Sequence, residues 1–343
     1  MKISLIEPIG VPKELIDELS EKFVTNGNEF VYFDNKTSNT QELVKRGKDS
    51  DIIITANNPI NSEVISGWEN LKVLDVAFTG LDHISIKSCQ DKGIKVLNAT
   101  NYSDQSVAEL CIGLSLDLLR KITQGDFATR AGSDAMSSSL MGMELCSKTV
   151  GIVGLGNIGM KTAKLFKAFG CRVVGYSRSK KAEAEKFGIE QLELEEVLKI
   201  SDIVSLHIPS NDETKHFMDK NKINMMKKTS LLINCSRGAV VDNEFLAKAL
   251  NEGVIAGAGI DVFDLEPPLS KDYSLLNCKN IVLTPHVAYL TREAMIKRAY
   301  IVFENIEDYV LNNGALTNIK AYTTTLVLYE YEGFLFVKMQ CHN

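Results

Sequence analysis

The sequence has no apolar run that reaches bilayer length, which takes about 20 consecutive apolar residues. Its opening, Met1-Lys2-Ile3-Ser4-Leu5-Ile6-Glu7-Pro8, holds too short an apolar stretch for a signal-peptide core and reads better as a first strand. The seven cysteines (89, 111, 146, 171, 235, 278 and 341) form no CxxC pair. Their odd number and scatter argue against both a disulfide framework and a zinc site, so no metal is expected. Reduced thiols in the cytoplasm are the simple expectation. Positive charge is not in excess either. The formal net charge is -6, which gives no reason to expect a nucleic-acid partner.

What is present is ordinary for a globular protein, with 45% hydrophobic and 24% charged residues. At 343 residues the chain is too long for one typical core and suits two domains. Short β-branched runs alternate with amphipathic stretches. Strands are predicted at Ile3–Ile6, Phe30–Phe33, Asp51–Thr55, Val73–Ala77 and Gly93–Leu97, with helices near 12–22, 40–47 and 61–67. This alternation predicts a mostly parallel sheet covered on both faces. Val107, Leu110, Cys111, Leu114 and Leu118 then mark one face of a long helix, with Ser103 or Ser106 as its cap, placed as a bridge between two domains. Residues 131–145 read as a loop.

A second alternating series begins at Lys148. Strands are predicted at 149–153, 172–176, 202–206, 230–234, 256–260 and 281–283, and helices at 157–168, 193–200, 221–226 and 242–251. This is a six-strand doubly wound pattern. A last helix runs from about Thr291 to Leu311, stops at Asn312-Asn313-Gly314, and is expected to return to the first domain. Residues 321–343 break the rhythm. They read either as a hairpin turning near Glu332-Gly333 or, the reading preferred here, as a poorly ordered or non-native tail.

The strand Thr149–Val153 runs directly into Gly154-Leu155-Gly156-Asn157-Ile158-Gly159, and a helix follows. Gly154 permits a tight turn, Gly156 lets the backbone approach a pyrophosphate, and Gly159 allows helix to pack closely on strand. The helix N-terminus offers N–H groups and a positive dipole end to phosphates. The strand before and the helix after give this glycine loop a context that a bare motif lacks. The next strand ends in Tyr176-Ser177-Arg178-Ser179-Lys180-Lys181. Ser177 sits where a site for NAD usually places an acid for the ribose 2′-hydroxyl. Without that carboxylate a 2′-phosphate is not repelled, and Arg178 can grip it. The cofactor is therefore expected to be NAD(P), with NADP(H) favoured. The plainer reading is a solvated basic turn.

Three further segments each lie at the C-terminal end of a predicted strand, where open α/β sheets bind ligands. They are Leu232–Asp242, with Arg237; Ala258–Pro268, with Glu266; and Leu283–Ala288, with His286. Each of these residues alone is more often structural. Their joint appearance after a dinucleotide loop points to chemistry beside a nicotinamide.

With these motifs in order, the chain resembles the D-isomer-specific 2-hydroxyacid dehydrogenase family over about residues 1–318. The resemblance implies two Rossmann-like doubly wound parallel-sheet α/β domains with the active site in the cleft between them. Residues 1–101 plus 289–320 would form a discontinuous substrate-binding domain and 102–288 the dinucleotide-binding domain, with 321–343 a tail of uncertain structure. The implied reaction is hydride transfer between NAD(P)H and a 2-oxo acid/2-hydroxy acid pair. By resemblance His286 is the acid/base, Glu266 its partner, and Arg237 holds the substrate. Asp261 contacts the nicotinamide end, and His207, Cys235 and Ser236 neighbour the cofactor. The segment Asp75–His83 resembles the family's substrate loop, with the amides of Thr79 and Gly80 holding a carboxylate. No catalytic role is expected for His83, and His216 and His342 read as solvated. The resemblance also implies a homodimer built through the cofactor domain, with the contact sought near the Ser103 helix and residues 125–145. A dinucleotide-sensing corepressor, or a formate or phosphite dehydrogenase, are the alternatives on the same scaffold.

Overall fold

Four consecutive β-prone residues, Ile52-Ile53-Ile54-Thr55, are all buried. A strand without alternation belongs in a parallel sheet that is covered on both faces. The computed structural model describes residues 1–132, 140–311, 324–331 and 334–341. The chain divides into one unit of Met1–Ser103 with Leu290–Asn343 and another of Asp104–Tyr289.

In the first unit, β1 (Lys2–Leu5), α1 (Lys13–Thr25), β2 (Glu29–Tyr32), α2 (Thr40–Gly47), β3 (Ile52–Thr55), α3 (Ser62–Gly67), β4 (Val73–Val76), α4 (Ile86–Asp91) and β5 (Lys95–Asn98) follow one another. The strands lie in the order β2-β1-β3-β4-β5, all parallel. This is a doubly wound order whose switch point falls between β1 and β3. Asn39 and Asn61 start α2 and α3 by accepting hydrogen bonds from the amides of Glu42 and Val64.

The second unit begins with α5 (Asp104–Arg120) and α6 (Ile122–Arg130). It continues through β6 (Thr149–Val153), α7 (Asn157–Ala168), β7 (Arg172–Tyr176), α8 (Ala182–Lys186), β8 (Glu190–Gln191), α9 (Leu194–Ile200) and β9 (Ile203–Leu206). It closes with α10 (Lys220–Met225), β10 (Leu231–Asn234), α11 (Asn243–Glu252), β11 (Gly257–Ile260) and β12 (Ile281–Leu283). The parallel sheet runs β12-β11-β10-β9-β6-β7-β8. Successive side chains of a strand face opposite ways. Accordingly Leu231 and Ile233 pack with Cys111 and Leu114 of α5 and Phe166 of α7, while Leu232 packs with Ile223 of α10 and Leu246 of α11.

The chain rejoins the first unit in α12 (Arg292–Leu311). Phe303 stacks on Phe23 of α1 at 6.1 Å between centroids and lies 5.7 Å from Phe30 of β2. Lys22 pairs with Glu307. Asn305 donates to Asp75 Oδ1 at 3.2 Å and to the Asn98 carbonyl at 3.3 Å. Beyond α12, β13 (Thr324–Tyr331) and β14 (Phe334–Cys341) pair antiparallel, with Tyr331 opposite Phe334. Among the described residues no helix is long and apolar enough to cross a membrane.

Several expectations change. The second sheet has a seventh strand, β8, which is two residues long and too short to carry a period. Helices α4 and α8 span six and five residues and escaped notice for the same reason. Helix α6 buries no residue, so no core-facing stripe announced it. Ser106 lies inside α5 and is not its cap. The paired strands at 324–331 and 334–341 favour the hairpin over an unstructured tail. The expected turn at Glu332-Gly333 and the helix stop at 312–314 lie outside the described residues.

Burial pushes the Asp75 carboxyl up to about 8 from an ordinary 3.8, against the hydrogen bond from Asn305. A raised folded value means that its contribution to stability is complete below the unfolded value and is lost as pH rises through about 8. Asp75→Asn keeps the acceptor and cannot ionise. Urea unfolding at about pH 6 and about pH 9 should therefore show the wild type losing on the order of 1 kcal/mol more than the variant. Equal losses would mean that Asp75 does not titrate in this range.

Candidate active site

The Gly154 amide donates to the Tyr176 carbonyl at 2.8 Å, which turns the chain away from β6. Gly154 has φ +102°, and a Cβ there would stand 2.4 Å from the His207 carbonyl oxygen. At Gly159 a Cβ would meet the Gly154 carbonyl oxygen at 1.9 Å. Both positions accept only glycine, the first for conformation and the second for contact. At Gly156 a Cβ would meet nothing within 4 Å. The protein itself therefore does not need glycine at 156, whereas a ligand approaching the backbone would. Gly156 caps α7 without a side-chain hydrogen bond, so no side chain competes with a phosphate for the start of this helix. Asn157 and Ile158 form its first turn. The loop fits a dinucleotide.

The edge on either side of this loop carries the other predicted residues. After β7, Ser177 donates to the Ser179 carbonyl at 2.6 Å, and Arg178 pairs with Glu213 at 3.3 Å. Both members of that pair are strongly exposed, at 82% and 77% of the side chain, so it holds Arg178 only weakly. After β9, His207 lies 2.9 Å from the Ser205 hydroxyl. Burial lowers its imidazole to about 3, which leaves it neutral near pH 7.

After β10, Cys235 and Ser236 lead into Arg237. The Cys111 thiol and burial raise the Cys235 thiol well above its ordinary value, which makes it a poor nucleophile. Buried Asn234 ties this turn. Its amide donates to the Arg237 carbonyl at 2.9 Å, and its oxygen accepts from the Ser236 amide and hydroxyl at 3.0 and 2.8 Å. Arg237 Nη1 donates to the Ser236 carbonyl at 2.8 Å. Gly238 follows, and a Cβ there would lie 1.8 Å from the Phe263 carbonyl carbon. Only glycine lets the segment leading to Glu266 run this close.

After β11, Asp261 is buried, and that burial raises its carboxyl value although three donors surround it. It accepts from the Thr284 hydroxyl at 2.6 Å, the Val287 amide at 2.9 Å and the Ala288 amide at 2.9 Å. The turn that it secures presents His286, whose φ is +55°. A histidine in the left-handed region is strained and needs such support. His286 Nδ1 lies 2.9 Å from each oxygen of Glu266. A carboxylate only accepts, so Nδ1 carries the hydrogen and Nε2 is the ring nitrogen away from Glu266. The ring meets Tyr289 edge-on at 5.6 Å.

The strand ends thus place the cofactor loop, His207, Arg237, Asp261 and His286 in that order along one edge of the sheet. Glu266 and His286 are brought into direct contact. Asn234, Gly238 and Thr284 went unremarked in the sequence reading. An Asn-x-x-Arg-Gly run and a hydroxyl two places before the histidine were their signals.

In the first unit, Thr79 and Gly80 follow β4. Thr79 Oγ1 donates to the Ala99 carbonyl at 2.9 Å, and Asn98 donates to the Thr79 carbonyl at 2.8 Å. Among the described residues neither the Thr79 nor the Gly80 amide donates to a partner. His83 meets Phe78 edge-on at 6.4 Å. His216 is exposed, and His342 lies outside the described residues.

Residues 112–288 match the model of the D-isomer specific 2-hydroxyacid dehydrogenase NAD binding domain. The chain is 36% identical over 274 residues to a glyoxylate reductase of Aeropyrum pernix, covering 78% of this chain and 82% of that one. It is 38% identical over 270 residues to a D-3-phosphoglycerate dehydrogenase of Methanocaldococcus jannaschii, covering 78% of this chain but only 51% of that longer one. The fold is similar to that of an acyclic imino acid reductase in complex with NADPH and D-Arg, with TM-score 0.83, 34% identity, and 93% and 100% of the two chains covered.

The glycine geometry separates two variants. Gly156→Val should melt with the wild type yet bind NADH and NADPH at least about tenfold more weakly in fluorescence titrations. Gly159→Ala should lower the melting temperature itself. A Gly156→Val protein with wild-type cofactor affinity would remove the loop from cofactor binding.

Proposed function

The chain belongs to the D-isomer specific 2-hydroxyacid dehydrogenase family, and on that premise we propose that it is an NAD(P)-dependent enzyme interconverting a small 2-oxo acid and its 2-hydroxy acid. The observation that carries this reading is the His286–Glu266 contact, on the same sheet edge as the glycine loop. From β6 to β11 that edge spans three strand intervals, roughly 14 Å. No side chain reaches so far, and an elongated dinucleotide does.

Gly154, Gly156, Asn157, Ile158 and Gly159 would hold the cofactor phosphates, and His207, Cys235, Ser236 and Asp261 would flank its nicotinamide end. Bound there, the nicotinamide supplies or takes a hydride. Arg237 holds the substrate carboxylate in a two-point contact and polarises the 2-oxo group, and in the first unit the Thr79 and Gly80 amides offer a pair of donors suited to a carboxylate. In reduction, His286 gives the Nε2 proton to the carbonyl oxygen as the hydride arrives at C2. In oxidation, neutral His286 takes the hydroxyl proton. Glu266 orients the ring through its contact with Nδ1. Ser177 and Arg178 support NADP(H) over NAD(H). The Glu213 contact of Arg178 is exposed, and a doubly charged 2′-phosphate would compete well for the guanidinium. Six thiols are free among the described residues, which suits a reducing compartment such as the cytoplasm.

A homodimer through the second unit is part of the proposal. Helix α6 buries nothing of its own. It exposes Ile122 at 57% and Phe127 at 68%, and Met141 at 76% and Met143 at 47% follow it. An apolar set of this kind fits a self-complementary interface.

Oxidation of NADPH and NADH should be followed over a panel of 2-oxo acids, with and without an amine. Turnover is expected, at higher kcat/KM with NADPH. His286→Gln should lose about a hundredfold or more of it while binding cofactor normally. Cofactor binding without turnover on any acid would favour a dinucleotide sensor. Sedimentation should show a dimer that Phe127→Asp shifts towards monomer. A wild-type monomer would refute the interface.

A further inference from the structure

Arg298 lies on the first half of α12, outside every motif described above, and only 4% of it is exposed. Its Nη2 donates to the Ile9 carbonyl at 2.6 Å. Its guanidinium carbon stands 5.3 Å from the Phe78 ring centroid and 5.7 Å from that of Tyr102. Those two rings meet edge-on at 6.2 Å. Gly10, at φ +75°, clears the approach, since a Cβ there would crowd Met295 Sδ at 3.0 Å and Arg298 Nη2 at 3.3 Å. Arg298 therefore joins the loop after β1, the loop after β4 and the segment after β5 to α12. All three strand ends lie on the edge of this sheet where α/β folds bind ligands.

Burying a guanidinium is costly unless polar and π groups surround it. An apolar side chain would fill this helix face without that cost, so the cation must serve the segments it touches. Phe78 is one of them, and it directly precedes Thr79 and Gly80. The Phe78 amide donates to the Val76 carbonyl at 2.7 Å, and its carbonyl accepts from Ala99 at 3.2 Å. With the Phe78 ring held by Arg298, side chain and backbone of this residue are both fixed. The next two amides then keep one direction. The guanidinium against Phe78 also adds a permanent positive charge beside this loop, felt more strongly in a buried setting than in water.

We propose that Arg298 is a positioning residue for substrate: it pins Phe78 and so pre-forms the Thr79–Gly80 amide pair for a carboxylate. This rests on the proposed function of that loop. The test uses the full chain with Arg298→Met, which fills the space without charge, and Arg298→Lys, which keeps charge without the planar face. KM and kcat are measured with a 2-oxo acid that the wild type reduces. Cofactor affinity comes from fluorescence titration, and amide exchange is followed over residues 77–83.

Arg298→Met should raise KM about tenfold with a much smaller change in kcat, unchanged cofactor affinity and faster exchange across 77–83. Arg298→Lys should fall between it and the wild type. A merely structural role would lower the active fraction, and with it kcat, at constant KM. Wild-type KM and wild-type exchange in Arg298→Met would overturn the proposal. Should that variant not fold, the same two results in Arg298→Lys would overturn it. A wild type that reduces no 2-oxo acid would remove the functional reading instead, and exchange over 77–83 would still decide whether Arg298 holds the loop.

Discussion

The carboxylate of Asp261 is the contact on which the reactive end of the second unit depends. It sits at the end of β11 and accepts from the Thr284 hydroxyl and the amides of Val287 and Ala288. Burying a carboxyl among apolar neighbours is unfavourable, and its raised value records that penalty. The three donors offset the penalty and convert it into geometry. Residues 284–288 close around one anchor, and His286, between the bonded Thr284 hydroxyl and the Val287 amide, is held at positive φ. With the His286 amide, which donates to the Asp261 carbonyl at 2.8 Å, the anchor holds the strained conformation against an extended one. The imidazole then has a fixed origin from which Nδ1 meets Glu266.

Close backbone approach is the second constraint, and the unit uses it twice. At Gly159 the start of α7 runs against the Gly154 carbonyl, and at Gly238 the turn after β10 runs against the backbone of Phe263 and Asp264. In the first place, helix and strand are packed so that the helix start faces a phosphate. In the second, the Arg237 turn and the chain leading to Glu266 are locked side by side. Asn243 and Tyr273 both donate to Asp264, and the Tyr273 ring packs edge-on to Phe263. The segment carrying Glu266 is thus supported from below as well as from the Arg237 side. Glycine at 238 is therefore as much a part of the reactive geometry as the residues that would touch substrate.

Much of this was legible from sequence because the signals were local and periodic. Strands 149–153 and 172–176 and helix 157–168 have the predicted limits, since β-branched runs and glycine punctuation mark both ends. The Glu266–His286 contact was expected from the family resemblance, and the structure joins them. Less legible were features whose meaning lies in a partner far along the chain. Gly238 reads as an ordinary turn residue until Phe263 is placed against it. Arg298 follows Lys297 on a helix and reads as a solvated face until Ile9, Phe78 and Tyr102 surround it. The strands at 324–331 and 334–341 pair antiparallel, whereas the general tendency of chain ends points to an unstructured tail.

Three buried ionisable groups of the first unit show how its field is arranged. Glu7 Oε1 accepts from the Thr55 hydroxyl and the amides of Ala56, Asn57 and Asn58, and so is committed to shaping the loop after β3. Asp75, four residues before Thr79, has too little hydrogen bonding to offset its burial and is pushed up to about 8. At neutral pH it is mostly uncharged, so the motif's own acid does not repel an anion arriving at the Thr79 and Gly80 amides. Arg298 carries the opposite charge and cannot lose it. One acid is bound into a loop, a second is neutralised by burial, and a cation stays permanently charged against Phe78. The charge of Arg298 against Phe78 is therefore set locally by the fold and does not depend on the protein's net charge of -6. A local cation of this kind is what the proposed carboxylate contact at Thr79 and Gly80 calls for.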